Sequence, residues 1–240
     1  MSHRVKRAIV MAAGFGSRMR PISLHTPKPL IRVGGERMID TAIRGLHENG
    51  IEEIHIVVGY LGEQFYALEK EYPGVHIIPN PYYETCNNIS SLYVAREFLG
   101  ENMILDGDQM FYDSSVLAAD FERSEYDSAW IDTPREEWFF TLEGDTIVDC
   151  STSGFCTGWQ LFSVSRWTAE DGAKLRRLLE YEFEVAKNRQ IWWDNIALTY
   201  HKEEFRLGIR PIRPGAIVEI DKLSELAAID PSYRIYLEEK

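Results

Sequence analysis

Short apolar runs alternate with amphipathic segments over the first hundred residues, and this alternation constrains the fold more than any other feature. The runs have the length of buried strands, and the segments between them carry apolar residues at helical spacing. The predicted strands are Arg7–Ala12, Glu53–Val58, Val75–Ile78 and Asn102–Leu105, and the predicted helices are Met38–His47, Leu61–Glu71 and Ser90–Leu99. Such units predict an α/β fold of Rossmann-like type, with a mostly parallel central sheet flanked by helices.

Beyond Tyr126 the pattern changes to short strand-like pieces and longer helical stretches. Strands are predicted at Ser128–Ile131, Phe139–Leu142, Thr146–Val148, Gly158–Ser163, Arg206–Arg210 and Ala216–Ile220, and helices at Ala169–Lys187, Gln190–His201 and Lys222–Ile229. No repeat, low-complexity tract or flexible linker separates the two parts. We therefore expect one domain over residues 1–240, with a change of character near residue 125.

Charge and composition exclude several classes of function. The formal net charge is −12, so a basic surface for nucleic acid is not expected. No apolar run approaches the length needed to span a bilayer. The spacing of Cys86, Cys150 and Cys156 fits neither a zinc site nor a redox pair, which favours reduced thiols and a cytoplasmic location. An acidic protein of this kind needs local cations or a metal ion to bind phosphates.

A glycine-rich segment directly follows the first predicted strand. Gly14 and Gly16 allow the backbone to approach a phosphate, Arg18 can grip it with two hydrogen bonds, and Lys28 adds a mobile positive charge. The segment is not a Walker A loop, because the Gly-x4-Gly-Lys-Ser/Thr pattern is missing, and it is not a dinucleotide fingerprint, because the third glycine position is Met19. A lone Gly-x-Gly is more often a plain turn. Here the ordered string also includes Ala12, Ala13, Pro21 and Pro27-Lys28-Pro29.

Two acidic pairs are candidates for a metal site. Asp106 and Asp108 follow the fourth predicted strand, although an Asp-Gly turn explains them equally well. Glu219 and Asp221 lie two apart on a predicted strand, where their side chains would share a face. From spacing alone, Asp221 as the N-cap of the helix Lys222–Ile229 is the stronger interpretation.

The segment Met11–Leu30 resembles the signature of the sugar-phosphate nucleotidylyltransferases and their cytidylyltransferase relatives. The resemblance implies that the loop from Ala12 to Gly16 wraps a triphosphate, that Arg18 neutralises the leaving pyrophosphate, and that Lys28 contacts the reacting phosphates. It further implies Mg²⁺ as the cofactor. The expected metal ligands are Asp108 rather than Asp106, together with Glu219 and Asp221.

Three further stretches resemble the bacterial phosphocholine cytidylyltransferases: Tyr82–Tyr93, Glu136–Phe139 and Trp192–Asn195. The resemblance runs from about residue 6 to about residue 230. It implies the reaction of CTP with phosphocholine, giving CDP-choline and pyrophosphate by in-line attack on the α-phosphorus. Residues 1–125 would bind the nucleotide, and residues 126–240 would bind the acceptor and complete the metal site. Residues expected to read the pyrimidine are Gly59, Asn87, Asn88 and Ser91.

The acceptor is predicted from aromatic and acidic residues. A quaternary ammonium donates no hydrogen bonds and is held by aromatic faces with a carboxylate nearby, which points to Trp138, Trp193 and Asp194. The alternative is that these tryptophans only fill the core. Phosphoethanolamine, 2-aminoethylphosphonate and a sugar 1-phosphate remain alternative acceptors. A non-catalytic nucleotide-binding regulator is disfavoured because Arg18 and the metal carboxylates are all present.

Overall fold

The computed structural model describes residues 2–238. The strands are β1 (His3–Arg4), β2 (Arg7–Ala12), β3 (Arg32–Val33), β4 (Glu36–Arg37), β5 (Glu53–Val58), β6 (Val75–Pro79), β7 (Asn102–Asp106), β8 (Gln109–Phe111), β9 (Asp120–Phe121), β10 (Glu125–Arg135), β11 (Phe139–Glu143), β12 (Thr146–Ser151), β13 (Cys156–Trp167), β14 (Gly208–Pro211) and β15 (Ile217–Glu219). The α-helices are α1 (Met38–Glu48), α2 (Leu68–Glu71), α3 (Ile89–Val94), α4 (Ala169–Glu180), α5 (Leu223–Ile229) and α6 (Ile235–Glu238).

A parallel group of four strands forms one half of the main sheet, in the order β7-β2-β5-β6. Met11 lies opposite Val57 on one side and Asp106 on the other, both in parallel register. Strands β5 and β6 extend the sheet on one side of β2, whereas β7 lies on its other side. The strand order therefore reverses between β2 and β7. Ligands of open α/β sheets collect at the carboxyl ends of the strands at such a point.

The other half of the sheet is mainly antiparallel. Strand β13 pairs antiparallel with β7 and also with β10 and β11. Strands β10, β14, β12 and β11 pair in turn, so that with β13 their pairings close into a ring. The predicted α/β fold is therefore confirmed, and the sheet as a whole is mixed.

The two faces of the parallel strands bury alternate side chains. Val10 of β2 packs against Ile39 and Ile43 of α1 on one face. Ile9 points to the other face and packs in a cluster with Leu175 of α4 and Trp167. Such two-sided burial explains why these strands read as continuous apolar runs in the sequence. It also fixes the strand ends that carry the glycine loop and the acidic turn.

Several predicted helices are shorter or less regular than expected. Residues 61–71 form a 3₁₀ turn (Gly62–Ala67) before α2, and α3 gives way to a 3₁₀ turn at Arg96–Phe98. Helix α4 ends in a π-turn at Tyr181–Val185.

The predicted helix Gln190–His201 is wrong over its first half, and only Ile196–Tyr200 is helical, as a π-turn. The helical turn begins late, because Trp192 N–H donates to Asn195 Oδ1 as at a helix N-terminus, and Trp193 N–H donates to Asn88 Oδ1 of another segment. Between residues 2 and 238, no helix combines the length and the apolar character required to cross a membrane.

Candidate active site

The glycine loop turns back directly after β2 and lies over Lys28. Gly16 has a φ of +58°, and a Cβ there would come within 3.0 Å of the Cβ of Lys28. Gly59, at the end of β5, is equally constrained, since a Cβ would come 2.7 Å from the carbonyl oxygen of Ala13. Both glycines are thus required for the close approach of two chain segments.

Two cations of the loop region point at carboxylates. Lys28 Nζ lies 2.6 Å from Asp108 Oδ2 and 2.7 Å from Asp221 Oδ1. Arg18 Nη2 lies 2.9 Å from Asp221 Oδ2. Burial alone would lower the pKa of Lys28, but its two carboxylate partners outweigh burial and raise that pKa. Lys28 is therefore a permanent positive charge beneath the loop.

The carboxylates come together because β15 pairs antiparallel with β8. Glu219 lies opposite Gln109, which places Glu219 and Asp221 beside Asp108. Ligand oxygens of these three carboxylates all lie within 4.8 Å of one another. The N-cap of α5 is Lys222, so the interpretation of Asp221 as a helix cap is wrong.

The donor set fits a divalent cation that prefers oxygen ligands. Asp108 Oδ1 is buried and has no hydrogen-bond partner among the described residues. The pKa of Glu219 is raised above its usual range because protein atoms surround its carboxylate and because Asp108 and Asp221 add like charge, although the residue as a whole is exposed. Such a concentration of negative charge is stabilised by cations.

A cleft of about 370 Å³ opens between the glycine loop and these carboxylates; we call it the loop cleft. Of the residues predicted from the sequence, those that line it are Ala12, Ala13, Gly14, Gly16, Arg18, Lys28, Asn88, Ser91, Asp108, Glu219 and Asp221, whereas Gly59 does not. Asn87 does not line it. Its side chain instead accepts from Asn88 N–H and donates to the carbonyl of Gln190, which ties two loops together.

A second cavity, of about 340 Å³, lies on the other side of the carboxylates; we call it the tryptophan pocket. Its walls include Trp138 and Asp194, both predicted from the sequence. The two cavities share Arg18, Asn88, Asp106, Trp192, Glu219 and Asp221. A ligand in each cavity would therefore meet its neighbour at the carboxylates.

Trp193 does not lie in the wall of this pocket. It is 3% exposed and packs in the core against Tyr126 and Trp167. Trp192 holds the wall position instead, 49% exposed and with its ring nearly perpendicular to that of Trp138. The irregular backbone of this segment, taken for a helix in the sequence, decides which of the two tryptophans faces outward.

Asp194 is the most buried acidic group of the tryptophan pocket. Tyr126 Oη donates to Asp194 Oδ1 over 3.0 Å. Burial raises the pKa of Asp194 to about 7, and the hydrogen bond from Tyr126 only partly opposes that rise. Three further acidic residues line this pocket, Asp106, Glu136 and Glu137. From the sequence, Asp106 was a candidate metal ligand only, and no role was predicted for Glu136 or Glu137. The signals in the sequence were the position of Asp106 at the end of β7 and the position of Glu136 and Glu137 directly before Trp138.

We expect the two tryptophans to respond differently to truncation. Trp193→Ala should lower the free energy of unfolding by about 3–5 kcal/mol, because it empties a core site. Trp192→Ala should change it by less than about 1 kcal/mol while raising the acceptor KM at least about tenfold. Urea unfolding and steady-state kinetics measure both. Equal destabilisation by the two changes would contradict the different placement of the two rings.

A triphosphate-sized cleft, two cations and a carboxylate group at a strand-order reversal define a nucleotidyltransferase. The chain belongs to the family of MobA-like NTP transferase domains, whose model matches residues 8–184.

Its relatives narrow the class to cytidylyltransferases. It is 36% identical to a 2-aminoethylphosphonate cytidylyltransferase of Lancefieldella rimae, over 96% of this chain and 94% of the relative. It is 31% identical to a choline-phosphate cytidylyltransferase of Streptococcus pneumoniae, over 93% and 96% of the two chains. The crystal structure of a CTP:phosphocholine cytidylyltransferase from Streptococcus pneumoniae superposes with a TM-score of 0.86 at 30% identity, covering 95% of this chain and 99% of the other. This protein is accordingly a cytidylyltransferase.

Proposed function

We propose that this protein transfers the cytidylyl group of CTP to a small acceptor with a phosphoryl group at one end and a cationic nitrogen at the other. The observation that carries the proposal is the meeting of the loop cleft and the tryptophan pocket at one group of charged residues. A triphosphate in the first cavity and an acceptor in the second would face each other there. Positioning and charge neutralisation are the main needs of such a transfer.

The chain's own residues supply both needs. A triphosphate in the loop cleft would meet backbone N–H groups of the glycine loop, the Arg18 guanidinium and the Lys28 ammonium, because these residues line the cleft. The acceptor phosphate is itself a nucleophile, so no general base is required. Asp108, Glu219 and Asp221 would hold the metal ion, which we propose to be Mg²⁺. When bound, that ion supplies charge neutralisation for phosphate oxygens.

Phosphocholine is the first candidate acceptor. The exposed ring of Trp192 and the ring of Trp138, with centroids 6.5 Å apart, form a corner suited to a quaternary ammonium. Asp194 adds a carboxylate close to this corner. The choline-phosphate cytidylyltransferases among the relatives support this choice.

2-Aminoethylphosphonate is the second candidate, and the acidic lining of the pocket favours it. A primary ammonium donates hydrogen bonds and is best met by carboxylates. Glu136, Glu137 and Asp106 supply these in addition to Asp194. The relative from Lancefieldella rimae supports this alternative.

Pyrophosphate release from CTP and from UTP, measured with phosphocholine, phosphoethanolamine, 2-aminoethylphosphonate and glucose 1-phosphate, tests the proposal. We expect turnover with CTP and one of the nitrogen-bearing acceptors, and loss of turnover when EDTA removes divalent ions. A kcat/KM at least about tenfold higher for phosphocholine than for 2-aminoethylphosphonate would identify the first candidate. Turnover with glucose 1-phosphate alone would contradict the proposed acceptor class.

A further inference from the structure

We propose that Lys28 blocks divalent metal ions from the carboxylate group of Asp108, Glu219 and Asp221 until a triphosphate is bound. Metal and nucleotide would then enter together. This inference concerns how the site is loaded, and it rests on the function proposed above.

The protein's own cations already occupy half of the available carboxylate oxygens. Lys28 Nζ bridges Asp108 Oδ2 and Asp221 Oδ1, at 2.6 and 2.7 Å. Arg18 holds the second oxygen of Asp221. The ammonium of Lys28 therefore lies where it competes directly with a metal ion for two of the three carboxylates.

Lys28 has little freedom to withdraw. Its side chain is only 8% exposed, and its backbone lies in a 3₁₀ turn between two prolines. The glycine loop covers it, since the Cβ of Lys28 approaches Gly16 closely. The loop cleft is the open direction, because Lys28 forms part of its lining. A triphosphate in that cleft would offer anionic oxygens to which the ammonium can turn.

Charge balance gives the same order of binding. In the protein alone, Lys28 and Arg18 partly offset the three carboxylates and the neighbouring Asp106, and an added divalent ion would lie beside a buried ammonium. Like charges in such an enclosed position repel strongly. A triphosphate carries enough negative charge to engage Lys28 and Arg18, which releases Asp108 Oδ2 and both oxygens of Asp221 for a metal ion.

Binding of Mn²⁺ to the nucleotide-free protein tests this inference without turnover. Electron paramagnetic resonance of free Mn²⁺ would give the dissociation constant for the wild type, Lys28→Gln and Arg20→Gln. Arg20 is exposed and forms no ion pair among the described residues. Arg20→Gln therefore removes one positive charge, as Lys28→Gln does, but removes no contact with a carboxylate. We expect Lys28→Gln to bind Mn²⁺ at least about tenfold more tightly than the wild type, and Arg20→Gln to bind as the wild type does.

Thermal unfolding of the nucleotide-free wild type, compared with Lys28→Gln, gives a second measurement. We expect a few millimolar Mn²⁺ to leave its melting temperature unchanged, and to raise that of Lys28→Gln, because a ligand stabilises only the state it binds. If the wild type is stabilised by Mn²⁺ alone, or if Lys28→Gln and Arg20→Gln bind it equally, the inference is overturned. Either result leaves the cytidylyltransferase proposal untouched, since that depends on pyrophosphate release.

Discussion

Asp108→Asn is expected to lower kcat for pyrophosphate release from CTP by about 10²–10³-fold, with a melting temperature close to that of the wild type. Asp108 contacts Lys28 at 2.6 Å, and its second oxygen is buried without a partner in the described part of the chain. Asparagine keeps the shape of the side chain and removes the charge that a metal ion needs. The effect should fall on kcat more than on the acceptor KM, because the proposed site of the acceptor is the tryptophan pocket.

The matched control for this change is Asp145→Asn. Asp145 is exposed, its only ion pair among residues 2–238 is with Arg123, and it lines neither cavity. We expect its kcat to stay within about twofold of the wild type. If Asp108→Asn retained a kcat within about threefold of the wild type, Asp108 would have no part in the reaction.

Asp194→Asn is expected to stabilise the protein at pH 8 and to weaken acceptor binding. Burial raises the pKa of Asp194 to about 7, so the ionised carboxylate is disfavoured in the folded state. The shift of the Asp194 pKa from 3.8 to about 7 corresponds to up to ~4 kcal/mol of the free energy of unfolding, which is lost when the carboxyl group ionises. Asparagine avoids that cost, and a rise in melting temperature of about 5–10 °C follows at pH 8.

The sign of the pH dependence is fixed by the raised pKa. Between about pH 4 and pH 7 the folded protein holds a proton on Asp194 that the unfolded chain has lost, so wild-type stability falls as pH rises through this range. The gain from Asp194→Asn should be small at pH 4 and complete above pH 7. Melting curves at both pH values check this, and an equal gain at each would contradict it.

The acceptor KM gives the second measurement on Asp194. Only the ionised carboxylate attracts a cationic acceptor, so the wild-type KM should fall as pH rises from 6 to 8. Asp194→Asn should raise the KM about 10–100-fold at pH 8 and remove this part of the pH dependence. The KM for CTP serves as the control and should not change. An unaltered acceptor KM would place the cationic nitrogen elsewhere in the pocket.

Features that depend on local properties of the chain could be predicted from the sequence alone. Strands β2, β5, β6 and β7 could be predicted because burial on both faces requires continuous apolar runs. The glycine loop could be predicted because positive φ and close backbone approach require glycine, as Gly16 shows. Strand ends then placed Asp108 near the loop, since the carboxyl ends of β2 and β7 meet at one edge of the sheet.

The tertiary structure decided what depends on contacts between distant segments. Asp221 is a partner of Lys28 rather than a helix cap, because β15 pairs with β8 across more than a hundred residues of chain. Trp192 rather than Trp193 lines the tryptophan pocket, because the Asn88 side chain takes the N–H of Trp193 and the Trp193 ring packs against Tyr126 and Trp167 in the core. Helical periodicity cannot register such side-chain competition, since the competing group comes from another part of the chain. The reaction type could therefore be predicted from the sequence. The wall of the tryptophan pocket and the ion pairs of Lys28 and Arg18 with the carboxylates form only on folding.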